Sequence, residues 1–165
     1  MDKENLNNLK LLRWDEMPEF DIYNDQLLSI INDELINFEQ YDENIKVTKS
    51  MINNYVKNEI IPKPNKKKYN KTHIAYVIMI TFFKNILSIS EIKSLLNYLT
   101  KNDDISIIYD LFVNIFENTL NNTFKDSENK INYKNDKLIP LQKICLAISC
   151  KYYTKDFLKI VNELN

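Results

Sequence analysis

The sequence predicts a mostly α protein of six or seven helices, and three observations carry that prediction. None of the 165 residues is glycine, where average usage is about 7%. Two-residue primed hairpins favour glycine, so a β-rich fold is disfavoured. Apolar residues recur at helical spacing in successive windows, and good N-cap residues stand just before several of them. The chain is 44% apolar and 12% aromatic, enough for a real core. Asn, Lys and Ile are all abundant, as an AT-rich coding sequence would produce, so part of the Asn and Lys excess carries no function.

Leu27, Leu28, Ile30, Ile31, Leu35 and Ile36 place a helix over about 23–37. Residues 38–46 read as a polar linker. Thr48 is an N-cap, with Val47 and Ile52 as a hydrophobic staple, for a helix ending near Asn58. Without glycine, Asn58 is expected to take the left-handed C-cap conformation. Pro62 and Pro64 stop the helix, and KPNKKK is a loop. Asn70 caps the next helix, stapled by Tyr69 and Ile74. This helix carries the longest apolar run and is expected to be central. That run, Ile74 to Leu87, is too short to span a bilayer. Ser88 and Glu91 form a capping box, with Leu87 and Ile92 as staple, for a helix over about 89–99. Asn102 or Asp103 opens a longer helix to about Leu120, with a polar connection over 121–136. Pro140 sits in the first turn of another helix, striped by Leu141, Ile144, Cys145, Ile148 and Tyr152. Thr154 is expected to cap a last helix, with Tyr153 and Leu158 as staple.

Several function classes are excluded or disfavoured. Glycine-rich phosphate loops, Rossmann turns and G-x-S-x-G elbows all require glycine. Cys145 and Cys150 fit neither a redox pair nor a zinc spacing, and both are expected to be buried thiols of a reducing cytoplasm. The polar N-terminus is not a signal peptide. His73 is the single histidine, and it has no nameable catalytic partner. It is expected to be a partly exposed structural residue. Asp15, Glu16, Glu19, Asp21 and Asp25 lack metal-site spacing and read as solvated helix faces. The expectation is a non-enzymatic cytoplasmic protein without cofactor or metal and with no membrane association.

The net charge of −1 hides an uneven distribution. Residues 1–45 carry −9, residues 46–72 carry +7 and residues 73–165 carry +1. A short basic block in an acidic chain is a candidate anion-binding surface. On the helix after Thr48, Ile52, Tyr55 and Val56 face inward. Lys49, Asn53 and Lys57 lie on the opposite side, flanked by Ser50 and Asn54. Asn can pair bidentately with adenine, and Lys can reach guanine or phosphate in the major groove. Lys63, Lys66, Lys67 and Lys68 would grip the backbone, and Lys71 would add a contact at a helix N-terminus. For Tyr55 and Tyr69, core packing with a phosphate-reaching hydroxyl fits better than base readout. The acidic N-terminal segment is a candidate internal gate, folding back over these lysines.

The order of segment 48–96 resembles the DNA-binding domain of MerR-type regulators, a winged helix-turn-helix. Ile52, Tyr55, Ile60, Ile61 and Pro62 match its recognition helix and following turn. Tyr69 matches the wing tyrosine, and Ser88, Ile89, Glu91 and Ile92 match the short helix after it. Asn53 replaces an arginine, Glu59 replaces a glycine, the linker before Thr48 is longer, and the effector or metal cysteines are absent. A second resemblance covers more of the chain. LRWDEMPEFDIYNDQ (Leu12 to Gln26), TKSMINNYVKNEIIPKP and KKKYNKTHIAYVIMI are similar to a small bacterial family, domain of unknown function 1836.

Together these imply a winged-helix or MerR-like core with additional N- and C-terminal helices. The acidic helical segment is 1–47, the DNA-binding region 48–100 and the C-terminal helical region 101–165. The expected partner is double-stranded DNA, bound by a transcriptional regulator whose effector the sequence does not name. The alternative is a protein–protein adapter built on a helical bundle. Its anchors, or a homodimer contact, would be Phe112, Phe116, Tyr152, Tyr153 and Phe157.

Overall fold

The longest apolar run builds the centre of the molecule, as its composition requires. In chain order the helices are α1 (Asn24–Leu35), α2 (Lys49–Lys57), α3 (Lys71–Phe83), α4 (Ile89–Thr100), α5 (Ile105–Phe124) and α6 (Ile139–Glu163). Short 3-10 turns lie at Trp14–Glu16, Ile36–Phe38 and Asp136–Leu138. The computed structural model describes residues 9–125 and 136–163, and no strand occurs among them. Part of the predicted polar connection, 126–135, lies outside the described residues. No described helix is long and apolar enough to cross a membrane.

Ten of the thirteen residues of α3 are buried, from His73 to Phe83. A helix that is apolar all round has no solvent face and must be enclosed. It packs against α1, α5 and α6, while α5 and α6 form the most extensive helix pair. Phe82 is the hub, with ring centroids 4.6 Å from Phe116, 5.1 Å from Phe38 and 5.9 Å from Phe112. Such aromatic pairs contribute about 0.5–1.5 kcal/mol each beyond the area they bury. One continuous core runs from Leu9 to Tyr152.

Local signals place the helix starts well. The Thr48 hydroxyl accepts from the Met51 amide at 3.3 Å. The Ser88 amide donates to the Glu91 carboxylate at 2.7 Å, and the Glu91 amide to the Ser88 hydroxyl at 3.4 Å. Four expectations need correction. α5 is capped by Asp104, whose carboxylate accepts from Ser106 at 2.8 Å, rather than by Asn102 or Asp103, and it continues to Phe124. Thr154 caps nothing: α6 runs through it, and its hydroxyl donates to the Cys150 carbonyl at 2.9 Å. The segment 38–46 is polar by count, yet Phe38, Tyr41, Asp42 and Ile45 are buried and bind it to the core. Cys145 is buried as expected, but Cys150 is exposed, because Ile148 and Tyr152 define the inward face of α6.

The acidic N-terminal third has a structural use that composition does not show. Residues 11–14 form a strap that leads into the Trp14–Glu16 turn, and their amides are all held by carboxylates. Leu11 donates to Glu117 at 2.9 Å, Arg13 to Glu16 at 2.7 Å and Trp14 to Asp110 at 3.0 Å, and Leu12 donates to Glu34. Arg13 adds a 2.7 Å ion pair to Glu117, and the Tyr109 hydroxyl donates to the Leu12 carbonyl at 2.7 Å. Amide–carboxylate bonds are charge-assisted and stronger than neutral ones.

Candidate nucleic-acid interface

Helix α2 has the two faces its spacing requires. Ile52 and Tyr55 are buried, while Lys49, Ser50, Asn53, Asn54 and Lys57 are exposed. Burial pushes the Tyr55 phenol above its ordinary pKa, so it stays neutral. Asn54 is partly engaged, because Asn58 donates to its side-chain oxygen at 2.8 Å. Asn53 makes no such bond and keeps its whole amide for solvent or a ligand.

The end of α2 corrects the expectation for Asn58. Asn58 has φ −86° and ψ 5°, outside the left-handed region, and Glu59 is the left-handed residue at φ 55°. The Ile60 amide donates to Tyr55 at 2.9 Å and the Glu59 amide to Val56 at 3.1 Å. These are the two bonds of a Schellman motif, with buried Tyr55 and Ile60 as its apolar pair. Motif geometry puts the left-handed position one residue beyond the C-cap. Glu59 therefore adopts it although glycine would do so without steric cost.

The lysine loop also departs from expectation. Asn65 and Lys68 exchange backbone hydrogen bonds at 3.1 and 2.8 Å, closing a two-residue hairpin. Its central residues, Lys66 and Lys67, have φ 47° and 65°. Positive φ at both positions is the requirement of a type I′ turn, which lysine meets only at a steric cost. Here a primed hairpin forms without glycine. It presents two exposed ammonium groups at its tip, with Lys63 exposed before it.

The base of this wing is held by the N-terminal arm. Ile22 and Tyr69 exchange backbone hydrogen bonds at 2.8 Å each. Asn24 donates to the Tyr69 hydroxyl at 3.3 Å, so that buried hydroxyl has a partner within the fold. Lys68 lies 5.4 Å from the Tyr23 ring centroid, and Lys71 lies 5.7 Å from that of Trp14 while pairing with Glu19. The acidic segment thus does reach the basic block. It does so through the backbone of buried Ile22 and the side chains of Trp14, Glu19, Tyr23 and Asn24, while Leu9, Leu11 and Met17 hold the segment to the core. Lys71 is engaged in this way, whereas Lys49, Lys57, Lys63, Lys66 and Lys67 are exposed and have no ion-pair partner among the described residues.

His73 corrects another expectation: it is buried rather than partly exposed. Its Nδ1 accepts from the Asn70 amide at 3.1 Å. Burial lowers its pKa, opposed by the neighbouring Pro62 and Asn70 backbone groups and by the charge of Asp21.

A family model described as a domain of unknown function (DUF1836) matches residues 12–112, well over half of the chain. The chain belongs to this family. The DUF1836 segment takes in most of the strap, the arm around Ile22, α1, α2, the wing, α3, α4 and the first part of α5; α6 lies beyond it. Comparison with curated proteins and with solved structures finds no match.

The strap and the Ile22–Tyr69 backbone pairing escaped sequence reasoning, although the charge distribution does point the acidic segment toward the lysines. The available signal was Arg13, the single arginine, within a cluster of acids. Its partners Asn114 and Glu117 are about a hundred residues away in the chain, beyond the reach of local patterning.

Proposed function

We propose that this protein is a non-enzymatic DNA-binding transcriptional regulator of the winged-helix, MerR-like kind. In this reading α2 enters the major groove and the hairpin 63–68 rides on phosphates. The observation that carries it is the pairing of a short helix, polar on its exposed face, with a strained lysine-tipped hairpin reached through Ile60–Pro62. The left-handed residue at the junction is Glu59, the position where the MerR pattern has glycine. Lys49, Lys57, Lys63, Lys66 and Lys67 supply the free positive charge. Asn53, with Ser50 and Asn54 beside it, is the candidate base reader. Lys68, Tyr69 and Lys71 anchor the wing base to the arm, and Tyr55 anchors α2 to the core.

The C-terminal helix supports the homodimer that such a regulator uses to read two half-sites. Phe112, Phe116 and Tyr152 are wholly buried and cannot serve as external anchors. Phe157 is 53% exposed and Leu158 50%, with Tyr153 beside them on α6. The adapter reading rests on the same patch.

The test is binding to pooled random duplexes at several salt concentrations, with the wild type and the K66E/K67E/K68E variant. Binding by the wild type at low salt, lost in the variant, supports the reading. Absence of binding at low salt, or indifference to the charge reversals, transfers support to the adapter.

A further inference from the structure

A cleft of about 480 Å3 opens between the wing and the N-terminus of α3. Lys63 and Lys68 line it from the wing side, Asn70, Thr72 and His73 from the helix, and Asp21 from the arm. The first-turn amides of Lys71 and Thr72 make no hydrogen bond among the described residues. Free amides and the helix dipole favour an anion there. Neither Lys63 nor Lys68 has a carboxylate partner among the described residues.

His73 supplies the independent observation. It is only 4% exposed, and its Nε2 has no hydrogen-bond partner. Nδ1 accepts from the Asn70 amide at 3.1 Å and also lies 2.8 Å from the Asn70 side-chain oxygen. In the tautomer that the amide bond selects, the neutral ring carries its proton on Nε2. The Pro62 carbonyl stabilises that end of the ring electrostatically without the geometry of a hydrogen bond. A buried donor left unsatisfied costs free energy, which an acceptor arriving in the cleft would recover. Asp21 acts against an anion, but it is a single exposed carboxylate in a cleft that also holds two ammonium groups and the free Thr72 amide.

We propose that this cleft is a phosphate-binding site, taking free phosphate or a phosphodiester of a duplex backbone. The ligand oxygens accept from the Lys71 and Thr72 amides, the Thr72 hydroxyl and the two lysines, with the imidazole edge behind them. The site does not depend on the DNA reading, since free phosphate alone would occupy it.

The chain has one histidine, so its imidazole gives a single NMR signal that reports on the cleft directly. The full chain is titrated with inorganic phosphate at fixed pH and ionic strength against a chloride background. The expected result is a saturable shift of the His73 signal. Lys63→Met and Lys68→Met should each weaken it about tenfold, the loss of one charge-assisted bond. Asp21→Asn should tighten it, and Lys143→Met, remote from the cleft, should leave it unchanged. A signal that follows ionic strength alone, or a K63M/K68M protein that titrates like the wild type, overturns the proposal. Adding a duplex separates the two sources. A duplex that moves the same signal and is displaced by phosphate assigns the site to DNA. Phosphate binding without duplex binding assigns it to the free ion and counts against the regulator reading alone. Duplex binding with no phosphate response and an unmoved His73 signal counts against this site alone.

Discussion

Residues 59–67 contain three non-glycine residues with positive φ, whereas α5 and α6 contain none. The same two regions differ in what they show to solvent. Around the wing the exposed side chains are lysines and amides. In the α5–α6 half Phe112 and Phe116 stack inward against Phe82 of α3, and the exposed apolar side chains are confined mainly to the Tyr153–Leu158 stretch of α6 and to Ile107 and Ile139. Backbone strain persists only where the surrounding structure enforces it, and it concentrates at functional sites. The contrast supports the proposed reading, which puts binding at the wing and stability in the aromatic core. The family segment takes in both regions in part, the wing together with Phe38, Phe82 and Phe112 of the core, and stops within α5.

The comparison breaks most visibly at Phe82. Phe82→Ala should lower stability by about 3–5 kcal/mol in urea unfolding, through the cavity left among three other rings. DNA affinity of the fraction still folded should not change. A variant that loses affinity while fully folded would make the core part of the binding machinery.

Thr48→Ala should cost about 1 kcal/mol by freeing the Met51 amide. Unlike the core variant, it should also weaken DNA binding, because it frays α2 itself. Glu59→Gly should stabilise the protein by about 0.5–1 kcal/mol, the relief of a left-handed side chain net of glycine's unfolded-state entropy. A loss of stability instead would mean that the 3.9 Å pairing of Glu59 with Lys93 outweighs its backbone cost.

The smallest effect concerns the strap. Burial, opposed by the Leu12 amide and reinforced by Glu16 and Glu117, raises the pKa of Glu34. A carboxylate whose pKa is raised on folding makes the protein more stable below its unfolded value, and that contribution is lost as pH rises through the folded value. Glu34→Gln keeps an acceptor for Leu12 and removes the charge. Its melting temperature should exceed that of wild type at pH 7, by less than about 1 kcal/mol of stability given solvent screening. The gain should vanish in acid. A gain that persists at low pH would assign the effect to packing.

Much of this arrangement is legible locally. Thr48, Ser88 and Glu91 are readable because a cap is decided by residues within one turn, and the α3 run because it lacks a polar face. Asp104 and Thr154 show the limit of such readings. Adjacent polar residues compete for one cap, and a threonine inside an unbroken helix can bond back to its preceding turn. Glu59, Lys66 and Lys67 were hidden for another reason. Without glycine to mark them, positive-φ positions are set by the Schellman motif and the hairpin closure. The strap and the arm on the wing base depend on contacts between distant parts of the chain. The polar character of the α2 face was legible, but the separation of engaged Lys71 from the free lysines was not.

The most direct measurement of the central claim is the slope of log K for duplex binding against log salt, for wild type and K66M/K67M. Five free lysines predict a slope of about −4 to −5, falling in magnitude by about 2 when the two hairpin lysines are removed. A slope unchanged by that removal, or no binding at low salt, would contradict the assignment of the wing to DNA.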